Sequence, residues 1–388
     1  MTPSTNERLA PLGIAVLLAL SGAASCEILI GIPDVTLGTG SGGTSGGGTG
    51  GTGGTGGTGG TGGTPPDCPL GTCTGDACAP VTLATVEGAV GVAGNIYGLA
   101  VGDGVVFWAA ETSSKKALVA TPVDGGSSEV LYEGGATPGR MVADAQDVFW
   151  SGPYRACVTR QPISGGPAFE IGPCVESQNQ YPPGLALTDT HVLWAVTAIG
   201  TDSCGLLESC CGPGGNSCLI ASPKDASEPL VVAGGISFIG ALADAGDSVV
   251  FVAVDADDEG TIVRCPKAAV VCEPAVLTSG SGTSQPIWLA AGGGHVYWGN
   301  SGGEIRRVAV DATEPSEGEL VAEATYLAYL FADAKAVYFS TVNGKMFAFT
   351  HEDPLVKIDQ GGVEAYEIGT DCENVYYADA GKLQRRPR

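Results

Sequence analysis

Seven times along this chain a valine is followed by a large apolar residue and then, in six of the copies, by an aromatic one. The copies are Val106-Phe107-Trp108, Val148-Phe149-Trp150, Val192-Leu193-Trp194, Val250-Phe251-Val252, Val296-Tyr297-Trp298, Val337-Tyr338-Phe339 and Val375-Tyr376-Tyr377. Their third positions are 42, 44, 58, 46, 41 and 38 residues apart. Shortly before each copy lies a run of small apolar residues, such as Gly98-Leu99-Ala100-Val101 or Gly184-Leu185-Ala186-Leu187. An alternating run follows each copy, and turns such as Asp124-Gly125-Gly126 or Ser164-Gly165-Gly166 then lead to a fourth extended segment. Four short strands in roughly 44 residues is the period of a propeller blade. The repeat therefore predicts an all-β fold, a single β-propeller of seven four-stranded blades over residues 80–388, with six or eight blades as the neighbouring counts. A β-sandwich fits less well, because it has no need of an aromatic at one place in every unit. The seventh unit ends at Arg388 after three strands, while Pro80 to Val90 reads as an unpaired fourth. The N-terminal strand is thus expected to complete the last blade, which leaves no open sheet edge to pair with other chains.

These motifs resemble those of YWTD, NHL and related extracytoplasmic propellers, in which a glycine-leucine-alanine-valine-like inner strand precedes a valine-aromatic-tryptophan strand. The resemblance covers residues 78–388 and implies blade packing. Families that share it range from receptors to hydrolases, so it does not assign an activity.

The N-terminal region carries a different message. Arg8 supplies one positive charge, and Leu9 to Leu20 is a twelve-residue apolar run interrupted by Pro11 and Gly13. That length is too short to span a bilayer and suits the core of a signal peptide. Ser21, Gly22, Ala23, Ala24 and Ser25 lead to Cys26. This segment resembles the lipobox of bacterial lipoproteins, which implies lipidation of Cys26, although Ala23 stands where such signals carry a large aliphatic residue. Ordinary cleavage near Ala24 or Ser25 is the alternative. Residues 38–66 are almost wholly glycine, threonine and serine, a composition that buries no apolar area and forms a flexible linker spanning roughly 30 Å as a coil. The organisation read from the sequence is therefore a signal peptide (1–25), a lipidated segment (26–37), a linker (38–66), a cysteine-containing lead-in (67–79) and the propeller (80–388). The destination is the cell envelope, at the outer membrane or cell surface, by lipid anchor.

Of the 13 cysteines, setting aside Cys26 leaves twelve, an even number suited to six disulfides in an oxidising compartment. Zinc spacing is missing: Cys204, Cys210, Cys211 and Cys218 have neither a two-residue spacer nor a nearby histidine. Cys157 and Cys174 are equidistant from the Gly165-Gly166 turn, and Cys265 and Cys272 from Ala268-Ala269, so each pair is expected to be bonded across antiparallel strands. Cys372 is expected to meet Cys68, Cys73 or Cys78.

A balance of 42 acidic to 18 basic side chains gives a net charge of −24, which argues against nucleic acid and favours basic partners or divalent cations. Asp255, Asp257 and Glu259 before Gly260 imitate the start of a calcium loop, but the twelfth position is Pro266 where an EF-hand needs glutamate. They read as an acidic turn, with weak calcium binding as the lesser reading and no other cofactor or metal expected. His191 and His295 precede the valine of the repeat, where other units have Asp147, Ala336 and Asn374, and with His351 they read as turn residues. No nucleophile elbow, phosphate loop or metalloprotease motif occurs.

The third unit is the longest, and its surplus between Trp194 and Leu219 holds Cys204, Cys210, Cys211 and Cys218, which suggests a disulfide-stapled loop. With Tyr154, Tyr181, Asp255, Asp257 and Glu259 it forms the candidate binding face. The function expected is a monomeric, membrane-tethered module that binds a protein or glycan without catalysis. An envelope hydrolase or lyase at the channel mouth and a purely structural envelope component are the alternatives. Intact mass of the membrane-extracted protein tests the anchor. The expected species begins at Cys26, carries a diacyl or triacyl increment, and is twelve hydrogens lighter than its reduced form.

Overall fold

In the computed structural model each repeated triplet lies within the second strand of a four-stranded antiparallel sheet, and there are seven such sheets. The structure describes residues 79–85, 98–111, 116–134, 138–152, 157–172, 174, 184–197, 217–254, 260–269, 271–278, 286–343, 345–352, 358–362, 367–379 and 382–388. Blades 1 to 6 each take four consecutive strands, beginning at Leu99, Met141, Leu185, Phe238, Pro286 and Leu327. Blade 7 takes three C-terminal strands, from Ile368 to Pro387, and the strand that precedes blade 1, Val81–Thr85. The latter pairs antiparallel with Lys382–Pro387, so the N-terminal strand closes the ring as the outermost strand of the last blade.

The apolar run in each second strand is continuous, not alternating, because both faces of each sheet are buried. In blade 3, Val192 and Trp194 pack against Phe149 of blade 2, while Leu193 and Ala195 pack against Val249 and Phe251 of blade 4. The same arrangement recurs around the ring. Trp108 meets Tyr376 across the closing interface, Phe107 meets Trp150, and Tyr338 meets Tyr377. The described core divides into seven clusters, each shared by two neighbouring blades. Trp108, Trp194 and Trp298 retain no accessible surface.

Blade 4 corrects the sequence alignment. Its residues facing blade 3 are Val249 and Phe251, and those facing blade 5 are Val250 and Val252. Elsewhere the first and third members of the triplet face the preceding blade, so the equivalent triplet is Val249-Val250-Phe251 and not Val250-Phe251-Val252. A one-residue slip exchanges the faces, and a strand apolar on both sides gave no alternation to reveal it.

Both disulfides expected from strand register are present, with Cα separations of 4.5 Å for Cys157–Cys174 and 5.8 Å for Cys265–Cys272. The register itself differs. Val158 pairs with Ile171, which puts Gly172 opposite Cys157, and Val263 pairs with Val276, which puts Pro274 opposite Cys265. Each second cysteine thus lies two residues from the directly opposed position. In the first pair, Gly172 at φ +80° turns the chain so that Cys174 reaches back. Cys218 and Cys372 are also disulfide-bonded; Cys68, Cys73 and Cys78 lie outside the described residues.

A polar device reinforces the apolar seams. Four third strands carry arginine at one equivalent position, and each donates to the carbonyl just past the third strand of the next blade. Arg160 reaches Lys224 O (2.6 Å), Arg385 reaches Val123 O (2.7 Å), Arg264 reaches Val310 O and Arg307 reaches His351 O. Cations at that following position reach back. Lys224 pairs with Asp144 and Arg388 with Asp333, both at 2.6 Å, and Lys267 donates to Leu187 O at 2.8 Å. Burial opposes the Asp144 charge, but Lys224 and the turn amides of Gln146 and Asp147 hold its carboxyl below the usual range.

His351 joins this set and is more than a turn residue. Its Nε2 lies 2.8 Å from Asp333 O, an acceptor only, so Nε2 carries the proton and Nδ1 accepts from the Tyr297 hydroxyl of blade 5 at 2.7 Å. Asp147, at the variable position before the repeat, is likewise buried and paired with Arg160 at 2.7 Å. Replacing Arg264 or Arg307 by alanine is expected to cost about 1–3 kcal/mol in denaturant unfolding, because each leaves an inter-blade carbonyl unpaired. Lys382→Ala, at an exposed site, serves as the control and is expected to stay within about 0.5 kcal/mol.

Candidate functional site

The inner strands line a channel of ≈ 580 Å³ to which all seven blades contribute. At the end where these strands begin, one position recurs in a ring, immediately before the residue opposite the third member of the triplet. Strand pairing identifies it as Gly98, Arg140, Gly184, Ala241, Trp288, Tyr329 and Glu367 in blades 1 to 7. Three members are small, and two of them are required to be so. A Cβ on Gly98 would lie 1.9 Å from Gly139 O, and one on Gly184 would lie 2.2 Å from Leu242 O. The other four project large polar or aromatic side chains.

Arg140 Nη1 donates to Glu367 Oε1 at 2.6 Å, and the Arg140 guanidinium lies over the Tyr329 ring at 5.1 Å from its centroid. The Tyr329 hydroxyl hydrogen-bonds within the same pair. This contact joins blades 2, 6 and 7 across blade 1, where Gly98 presents no side chain. Arg140 keeps 36% of its side-chain surface open and Glu367 only 8%. Burial pushes the Glu367 carboxyl up to about 7 against the opposing pull of Arg140 and the Tyr329 hydrogen bond. The Tyr329 phenol is raised by the same burial. Burial is the strongest single influence on Arg140 and opposes its charge, but Glu367 and Tyr329 together outweigh it and the guanidinium stays protonated.

Blades 4, 5 and 6 differ from the others in that their inner strands shift register at this end, between Ile239 and Leu242, Pro286 and Trp288, and Leu327 and Tyr329. Such bulges re-aim side chains and are frequent beside binding sites. Trp288 Nε1 donates to the carbonyl of the bulged Ala328 at 2.7 Å, which fixes the indole in the channel wall. Around it the rim exposes Phe238 (38%), Ile287 (47%), Tyr326 (68%) and Val342 (45%). Tyr326 holds φ +58°, a left-handed conformation uncommon for a residue of its size.

Of the residues proposed from sequence, Cys26, Tyr154, Tyr181, Cys204, Cys210, Cys211, Asp255, Asp257 and Glu259 lie outside the described residues. Cys218 is fully buried in the strand Ser217–Pro223 and is held there in a disulfide. His191 and His295 begin second strands, with ring nitrogens 2.8 Å from Thr190 Oγ1 and 3.0 Å from Gly293 O, and neither lines the channel. Arg140, Trp288, Tyr329 and Glu367 were not singled out from sequence. Their signal was present: aligning the inner strands on Gly98 and Gly184 shows four units in which that small residue is replaced by a large one.

No protein-family model matches the chain, and no characterised protein matches it in sequence. Among solved structures the chain is similar to the WD40 β-propeller domain of Doa1 (12% identity, TM-score 0.54, covering 79% of this chain and 96% of that one). It is also similar to YCF48 bound to a D1 peptide (12%, 0.54, 82% and 100%) and to a chain of the mitotic checkpoint complex (11%, 0.54, 83% and 96%). At this identity the likeness establishes the propeller fold alone.

The Glu367 shift carries a sign. Its folded-state pKa lies above the value of 4.5 usual for glutamate, so the stability it contributes is present at acid pH and is lost as pH rises through about 7. His351, lowered by burial, works in the opposite direction, costing stability as pH falls below its ordinary value of 6.5. Comparing wild type with Glu367→Gln cancels the histidine. The stability difference between the two is expected to move against the wild type between about pH 5 and 8, by at most roughly 1.4 kcal/mol per unit. A difference independent of pH would show that Glu367 is fully ionised in the fold.

Proposed function

We propose that this chain is an exported lipoprotein, held by a lipid on Cys26 and a glycine-threonine leash, whose propeller binds a protein or glycan at the channel mouth. The observation that carries the reading is the mouth of blades 4–6. Phe238, Ile287, Tyr326 and Val342 are exposed there together, beside inner strands bulged at the same end and a channel large enough to accept a ligand group. The residues linking second to third strands, and fourth strands to the next blade, leave from this end. YCF48, a propeller solved with a bound peptide, offers a precedent for the fold in this role. The YWTD- and NHL-like motifs and the lipobox-like segment support an extracytoplasmic setting, and the charge of −24 favours partners with basic character.

A second reading has one observation in its favour. A carboxyl poised near 7 beside an arginine and a tyrosine is a constellation that proton transfer in an elimination could use. Hydrolysis of glycosides requires a second carboxylate across the substrate, and among the described ring residues Glu367 is the only one.

Placing a photo-crosslinking residue at Ile287 of the full-length protein in intact cells tests the binding role. A discrete adduct is expected that disappears when Phe238 and Tyr326 are both changed to serine. Crosslinks identical to those from a probe at Glu352, on the opposite end of the blades, would remove the mouth from consideration.

A further inference from the structure

We infer that the channel mouth takes a neutral saccharide unit, held between the Trp288 indole and the Arg140–Glu367 pair. The inference rests on the binding role proposed above and narrows its ligand. Three observations lead to it.

The first is charge balance within the ring. Above about pH 7, where the Glu367 carboxyl is ionised, Arg140 and Glu367 neutralise one another at 2.6 Å, with Tyr329 sharing the pair. An ionic ligand group would have to break that contact and leave one member buried without its partner, which is costly. A hydroxylated neutral ligand has no such requirement. It can accept from the guanidinium N–H groups on the open side of Arg140 and donate to lone pairs of the Glu367 carboxyl, with the ion pair intact.

The second is the indole. Trp288 differs from the other tryptophans, since Trp108, Trp150, Trp194 and Trp298 are buried between blades at 3% exposure or less, whereas Trp288 is half-buried in the channel wall. Its Nε1 is already bonded to Ala328 O and its ring packs in part against the core between blades 5 and 6, so the part of the ring that lines the channel is apolar and held in place. Such a face suits the C–H side of a sugar ring, whose hydroxyls point outward to the polar pair.

The third is space. The ring members of blades 1, 3 and 4 are Gly98, Gly184 and Ala241, and the strands behind Trp288 continue in Leu289, Ala290 and Ala291. The ≈ 580 Å³ of the channel lies within the range of small-ligand sites and is open at the rim. Overall charge does not oppose this occupant, because a neutral ligand feels neither the attraction nor the repulsion of a −24 surface.

Titration of the purified full chain with maltose, cellobiose, lactose and diacetylchitobiose provides the test. Because Trp288 is the tryptophan in the channel, a saturable change in indole fluorescence reports on the site. At least one disaccharide is expected to bind with millimolar affinity, unchanged between low and high salt. By calorimetry Trp288→Phe is expected to retain binding, while Trp288→Ala and Glu367→Gln weaken it by roughly tenfold. Circular dichroism on each variant confirms that the propeller is kept. The saccharide assignment is overturned if none of the four saturates, or if Trp288→Ala binds as tightly as wild type. It is overturned as well if an oligolysine peptide, and no sugar, alters the fluorescence in a salt-sensitive manner. In those cases a crosslinked partner that depends on Phe238 and Tyr326 would still uphold the mouth as a binding face, so the two ideas fail separately.

Discussion

The second strand of every blade is buried on both faces, and this shared burial is the condition on which the rest of the molecule depends. No blade owns a core. Each apolar cluster is made jointly by two neighbours, as Trp194 with Phe149 and Leu193 with Phe251 show. A single four-stranded sheet with two apolar faces would be insoluble and unstable alone, so the blades hold only as a closed set. That is why the strand Val81–Thr85 matters out of proportion to its length. By pairing with Lys382–Pro387 it covers the third strand of blade 7 and ties the two ends of the propeller into one sheet. It also brings Leu83 and Ala84 into the seam between blades 7 and 1.

Apolar burial is not directional, and seven similar sheets could slide against one another if nothing else fixed their heights. The arginine and lysine contacts near the channel's far end supply the missing direction. Arg160 reaches forward to blade 3 while Lys224 of blade 3 reaches back to Asp144, so that interface is pinned from both sides. The carboxylates involved also cap their own turns through amides two and three residues ahead, as Asp144 and Asp333 do. One side chain therefore shapes a turn and locates the neighbouring blade. With that end pinned, the opposite mouth carries fewer structural demands, chiefly those on Gly98 and Gly184, and it is there that the ring position varies from glycine to tryptophan.

The architecture was legible because the constraint that shapes it is written locally. A triplet buried on both sides must be apolar throughout, and the repeat of that triplet counts the blades. What escaped notice shares one physical cause. Period-two alternation is the signal that sets register, and strands apolar on both faces do not carry it. Blade 4 was therefore aligned one residue late, and the Cys157 and Cys265 partners were found by counting from turns whose strands actually pair two residues differently. The arginines at 160, 264, 307 and 385 share a place in the repeat, but with alanine at 120, 221 and 348 the pattern is incomplete and reads as scattered surface charge. The mouth ring was hidden for a related reason. Its polar members, Arg140 and Glu367, stand one residue outside the strands Met141–Ala143 and Ile368–Thr370, where a sequence reading sees loop.

The ring also explains why an ion pair can sit where it does. Neighbouring blades diverge from the channel axis, and side chains from adjacent inner strands usually meet before those from more distant ones. Arg140 and Glu367 come from blades 2 and 7, separated by blade 1. They meet because Gly98 intervenes with no side chain, and Gly98 cannot acquire one because Gly139 O occupies the space a Cβ would need. The backbone packing that draws blades 1 and 2 together therefore also opens the gap that the pair crosses. A requirement of closure and a feature of the binding mouth are met by the same residue. In this way a surface free to vary can hold a buried carboxyl and a guanidinium in fixed relation without a dedicated loop to position them.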